Sequence, residues 1–196
     1  GLLAEAGATV VAAGRRQAPC AALAATLRAS GATVHGVTAD VADWASVERL
    51  ESETRRLAGP TDVVVAAAGV VRPAGMTWEI EPGEWAANVK TNLVGAFNTL
   101  RAFLPGMIER DQGVLVLVSS VAVKLATPGW GAYGAAKAGV DHLARVAQAE
   151  LDGRGSAVRV HVVYPGVVDS PMQETIRSFS DDEFPSVATF RRMYEK

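Results

Sequence analysis

The chain has 196 residues, 49% of them hydrophobic, with 19 basic and 21 acidic side chains and a formal net charge of -2. That length suits one domain with a sizeable core, and the near-balanced charge excludes a protein built chiefly to grip a polyanion such as nucleic acid. The single cysteine, Cys20, permits no internal disulfide and no Cys/His metal cluster, and the longest apolar runs, such as 63–71, fall far short of the ~20 residues of a bilayer-spanning helix.

In chain order, residues 1–6 (GLLAEA) read as the last turns of a helix, closed by Gly7 as its C-cap. Short valine-rich runs follow at 8–13, 32–38, 62–66, 113–118 and 157–163. Most are continuously apolar rather than alternating, which is the pattern of strands buried on both faces of a parallel sheet. Between them lie helical segments at 17–30, 43–58, 84–109 and 131–151. In the third, Trp85, Val89, Leu93, Phe97, Leu100 and Leu104 fall three or four apart and form one apolar stripe. Strand–helix alternation with short connections predicts a doubly wound, Rossmann-like α/β domain with a parallel sheet and helices on both faces. From residue 169 the pattern dissolves, and 169–196 is expected to form a mobile flap over a site, within a single domain spanning 1–196.

The chemistry concentrates in 113–137. A buried strand ends in Ser119 and Ser120, a Pro-Gly loop follows, and a helix then carries Tyr133 and Lys137. The i, i+4 spacing puts phenol and ammonium on one helix face, one turn apart. A nearby cation favours phenolate, so the tyrosine pKa is expected to fall from ~10 towards neutrality, where it exchanges protons readily. The adjacent serine stands to hold a carbonyl oxygen beside that phenol.

With these motifs in register, the sequence resembles the short-chain dehydrogenases/reductases over roughly residues 3–172. The resemblance rests on Gly14-Arg15-Arg16 after the first visible strand, Asp40-Val41, the run Ala66 to Gly69, Asn92 in TNLVG, Ser120, Tyr133 with Lys137, and Pro165-Gly166. It implies a general acid or base in Tyr133 and a substrate-polarising hydroxyl in Ser120. Lys137 would lower the tyrosine pKa and hold the nicotinamide ribose, and Asn92 would position a water in a proton relay. It further implies that Asp40 and the Val41 backbone receive the adenine. Ala67, Ala68 and Gly69 would admit the cofactor closely, and Pro165-Gly166 would turn the chain so that Val168 and Ser170 meet the carboxamide. Where an acidic residue would select NAD(H), this chain has Arg15 and Arg16, which match a 2′-phosphate; NADP(H) is therefore favoured, with NAD(H) as the alternative.

The family usually has Asn-Asn-Ala-Gly where this chain has Ala66-Ala67-Ala68-Gly69, a loss of amides that would otherwise tie the sheet. The expected glycine-rich phosphate loop is absent, so both ends look cut. The family's first strand lies between the two that correspond to 8–13 and 62–66. A gap between those strands is therefore expected, and with it an unstable or inactive fragment of a longer enzyme. The expected function is hydride transfer between NADP(H) and a ketone or secondary alcohol, in the manner of 3-oxoacyl carrier-protein reductases or a broader alcohol dehydrogenase. A non-catalytic dinucleotide-binding or scaffold protein of the same fold, or an inactive fragment, are the alternatives. Trp130, Val168 and Met172 are candidates to line the substrate pocket. No metal, nucleic acid or membrane partner is expected, the location is expected to be cytoplasmic, and the resemblance implies homodimers or homotetramers through the helices 84–109 and 131–151.

Overall fold

The computed structural model describes residues 2–194. A short helix α1 (Leu2–Glu5) precedes β1 (Val10–Gly14), with Gly7 at φ +87° turning the chain between them. Then come α2 (Gln17–Ala29), β2 (Val34–Thr38), α3 (Trp44–Ala58) and β3 (Val63–Ala66). Asp43 starts α3 by accepting a hydrogen bond from the Ser46 amide. After α4 (Pro82–Val89) and α5 (Gly95–Glu109) the chain runs through β4 (Val114–Val118), α6 (Gly131–Gly153) and β5 (Arg159–Val163).

Among the described residues all strand pairs are parallel, as expected of β–α–β connections, and they form two sheets, β1–β2 and β3–β4–β5, with the expected gap between β1 and β3. Helices α3 and α5 pack against each other and connect the two. Gly95 of α5 approaches Val41 so closely that a Cβ there would lie 2.6 Å from Val41 Cγ2, and Asn98 Nδ2 donates to the Val41 carbonyl at 2.8 Å. The main core joins Val64, Leu115, Leu117 and Val160 from the three-stranded sheet to Phe103, Leu104 and Met107 of α5 and to Val140, Ala144 and Leu151 of α6.

Two expectations need correction. The continuous valine runs predicted strands covered on both faces, yet Val63, Val65 and Val163 are 50%, 52% and 43% exposed while Val64 is buried. The reason is that α5 and α6 both pack on the face carrying Val64, Leu115 and Leu117. The helix expected over 84–109 is interrupted by a π-helical turn, Lys90–Val94, whose extra width brings Asn92 against the loop after β3. Within the segment expected as a flap lie α7 (Pro171–Arg177) and α8 (Val187–Tyr194), with Phe179 and Phe184 between them fully buried in a cluster with Trp130 and Tyr133. Among the described residues no helix is long and apolar enough to cross a membrane.

The β1–β2 half depends on close backbone contact. A Cβ at Gly36 in β2 would lie 2.8 Å from the Cys20 carbonyl oxygen of α2, with no flexible side chain to yield. Gly36→Ala is expected to cost about 1–3 kcal/mol by pushing α2 off the sheet, measurable as a lower midpoint in urea unfolding.

Candidate active site

Each candidate residue lies just beyond the C-terminal end of a strand or on a helix that passes over such an end. Arg15 and Arg16 follow β1, Asp40 and Val41 follow β2, Ala67 to Gly69 follow β3, Ser119 and Ser120 follow β4, and Pro165 to Ser170 follow β5. Parallel strands bring their carboxyl ends to one edge, where α/β sheets bind ligands.

The centre is built where β4 meets α6. Lys137 is 4% exposed, and its Nζ donates to the Val118 carbonyl, the last residue of β4, at 2.8 Å. Ser119 donates its hydroxyl to the Lys137 carbonyl at 3.3 Å, so helix and strand are joined twice. Ser120 caps a 3₁₀ turn, Val121–Val123, with its Oγ accepting from the Ala122 amide at 3.2 Å. Tyr133 stands one turn before Lys137, whose Nζ is 5.9 Å from the tyrosine ring centroid. Trp130 meets the same ring edge-on with centroids 5.3 Å apart and stacks on Phe184, forming an aromatic wall.

On the other side stands the loop after β3. Asn92 Oδ1 accepts from the Val70 amide at 3.0 Å, and its Nδ2 donates to the Val70 carbonyl and to Asn88 Oδ1, both at 2.8 Å. Asn88 in turn donates to the Arg72 carbonyl at 2.7 Å. These two buried amides hold the loop that the alanines at 66–68 do not. Asn88 was not singled out from the sequence, although its spacing four residues before Asn92 was visible. A Cβ on Gly69 would meet Asn92 Oδ1 at 3.0 Å, Lys137 Nζ at 3.6 Å and Met172 Cε at 3.7 Å, so only glycine leaves that space open.

Electrostatics follow from burial. Desolvation lowers the Lys137 pKa to about 8 from an ordinary 10.5, partly opposed by the charge of Asp141. Tyr133 departs from the sequence expectation: burial pushes its pKa up, and the hydrogen bond with Ser120 draws it back only in part. The ammonium stands 5.9 Å from the ring centroid, and burial of the phenol outweighs its influence, so the expected fall is not realised.

The polar groups fit the dinucleotide that the resemblance implies. Lys137 uses one N–H on Val118 and keeps donors for a ribose, while Gly69 supplies a cradle a Cβ would fill. Asp40 binds the Ala42 amide through Oδ1 at 2.9 Å, leaving Oδ2 for an amino group. Arg15 and Arg16 are exposed, as are Ala67, Ala68, Pro165, Gly166 and Val168, while Ser170 is half-buried. Of the proposed pocket residues, Trp130 is buried in the aromatic wall, Val168 is exposed, and Met172 reaches Gly69.

The family model for short chain dehydrogenase matches residues 1–181. An uncharacterized oxidoreductase of Myxococcus xanthus is 40% identical over 178 residues, covering 88% of this chain and 67% of that protein. An uncharacterized NAD-dependent oxidoreductase of Mycobacterium tuberculosis is 38% identical over 149 residues, 76% of this chain and 53% of its own length. The crystal structure of a gluconate 5-dehydrogenase from Burkholderia cenocepacia, in complex with NADP and tartrate, superposes with a TM-score of 0.81 at 28% identity, covering 91% of this chain and 69% of that one. The chain thus spans between about half and two thirds of the curated relatives it matches first.

The depressed Lys137 pKa makes this ammonium a cost to stability. A shift from 10.5 to about 8 corresponds to roughly 3 kcal/mol against the folded state. The penalty is full below pH 8, fades as the folded lysine loses its proton, and vanishes above 10.5, where the unfolded lysine is neutral too. Lys137→Met is therefore expected to stabilise the fold by about 1–3 kcal/mol at pH 7, less at pH 10, as read by thermal unfolding at both pH values.

Proposed function

The chain belongs to the short-chain dehydrogenase/reductase family, and on that premise we propose that it reduces a ketone to a secondary alcohol, or runs the reverse oxidation, with NADP(H). The observation that carries this reading is the convergence of Tyr133, Lys137 and Ser120 at the carboxyl end of β4. The cofactor, when bound, supplies or accepts the hydride.

The protein's share is placement and proton transfer. Ser120 and Tyr133 direct their hydroxyls at one substrate oxygen, and Tyr133 gives up its proton as charge develops there. Its raised pKa keeps it a phenol at neutral pH, the form required for reduction. Lys137 places a positive charge beneath it and offers N–H donors to the ribose. Asn92 and Asn88 fix the Val70 loop so that Gly69 stays clear beside Lys137. The water-relay role of Asn92 is part of the same reading, with its side chain committed to that loop and Asn88.

The choice of NADP(H) over NAD(H) rests on Arg15 and Arg16, exposed directly after β1 with no acidic residue in their place. The relatives include a protein named NAD-dependent and a structure bound to NADP, so the family label is compatible with both. Self-association through α4–α5 and α6 belongs to the reading as well, supported by the part-exposed Trp85, Val94, Phe97 and Val146.

Tyr133→Phe is expected to lower kcat for ketone reduction by about 10²–10⁴-fold while NADPH binding persists, checked by steady-state kinetics and fluorescence titration. Arg15→Ala is expected to raise the KM for NADPH roughly tenfold or more and leave that for NADH unchanged. Normal turnover by the first variant would refute the proposed acid; an unchanged preference in the second would refute the phosphate clamp. Reduction should also fail as pH rises through about 8, where Lys137 loses its charge, giving an alkaline limb in the kcat/KM profile.

A further inference from the structure

Helix α6 carries a third ionisable group on the Tyr133–Lys137 stripe. Asp141 lies a further four residues along, so the three side chains follow at i, i+4 and i+8 on one face. Tyr164, the residue after β5, donates its hydroxyl to Asp141 Oδ2. The other carboxylate oxygen, Oδ1, is buried and has no hydrogen-bond partner. A carboxylate held half-satisfied in this way is costly unless a nearby charge compensates it. The buried ammonium of Lys137, one helical turn earlier on the same face, is such a charge, although its Nζ bonds the Val118 carbonyl and not the carboxylate itself.

We propose that Asp141 is a positioning residue for the reaction: anchored by the Tyr164 hydroxyl, its carboxylate keeps the Lys137 ammonium charged beneath Tyr133. This rests on the reading of Tyr133 and Lys137 given above. The groups around the pair are few. From α6 itself come Tyr133 and Arg145, the latter donating to the Asp141 backbone carbonyl at 3.4 Å rather than to its carboxylate. After β5 comes Tyr164, and from the loop after β4 comes Lys124, whose ammonium stands 5.0 Å over the Tyr164 ring. Ser120 and Asn92, on the neighbouring 3₁₀ and π turns, are uncharged. Among the described residues the charge acting on Lys137 is that of Asp141, and it opposes the effect of burial. Tyr164 responds in turn, its pKa pushed up by the hydrogen bond to Asp141.

The chain has four lysines (Lys90, Lys124, Lys137 and Lys196), so Lys137 can be followed in the full chain labelled with [ε-13C]lysine and assigned with a Lys137→Arg variant. Asp141→Asn is expected to lower the Lys137 midpoint by roughly one pH unit, Asp141→Glu to restore most of it, and Tyr164→Phe to give a smaller fall. In NADPH-dependent reduction of a ketone panel, the alkaline limb of Asp141→Asn should move to lower pH by the same amount. An unmoved Lys137 midpoint in Asp141→Asn overturns the proposal, and so does a shifted midpoint with an unmoved alkaline limb. A shifted midpoint in a chain that turns over no ketone would overturn the catalytic reading and with it the role in the reaction, while leaving the electrostatic pairing measured.

Discussion

A buried ammonium bound to the end of a strand organises this molecule. Lys137 gives one N–H to the Val118 carbonyl, and Ser119 returns a hydroxyl hydrogen bond to the lysine's own backbone. Those two bonds set how far along β4 the helix α6 sits, and hence where Tyr133 stands relative to Ser120. Desolvating the charge is unfavourable, and the fold accepts that cost at the one edge where strand ends, loops and aromatic side chains meet.

The second constraint is the loop after β3, which must pass close to Lys137 without filling the space above it. Glycine at position 69 provides the clearance, and the amides of Asn88 and Asn92 hold the backbone in place. The π-helical turn between α4 and α5 is what presents Asn92 to that loop, so an irregularity in a helix serves the site directly. Family members commonly carry asparagines within the loop itself. Here the loop has alanines at those positions, and the neighbouring helix supplies its hydrogen bonds.

The two halves of the domain are coupled through helices rather than through a shared sheet. Candidate contacts for the adenosine end sit after β1 and β2, whereas the proposed proton-transfer group sits after β4. The Val41–Gly95–Asn98 junction fixes one relative to the other, because Val41 both follows β2 and packs on α5. Aromatic packing of α7 and α8 on Trp130 closes the remaining side around Tyr133.

Much of this was legible in the residues alone. Valine runs and apolar periodicity located every strand and the main helices, because those patterns reflect local geometry and burial. The group Ser120, Tyr133 and Lys137 was readable because two members share a helix face and the third ends the preceding strand. The break between the strands at 8–13 and 62–66 was expected from the sequence, whereas the asparagine pair, the π turn and the direction of the Tyr133 pKa shift were decided only by tertiary packing. Each depends on which surfaces come together across long stretches of chain and on how much water that contact excludes. A one-dimensional pattern records neither quantity: an i, i+4 spacing places an ammonium near a phenol, but only the folded surroundings decide whether burial outweighs its charge.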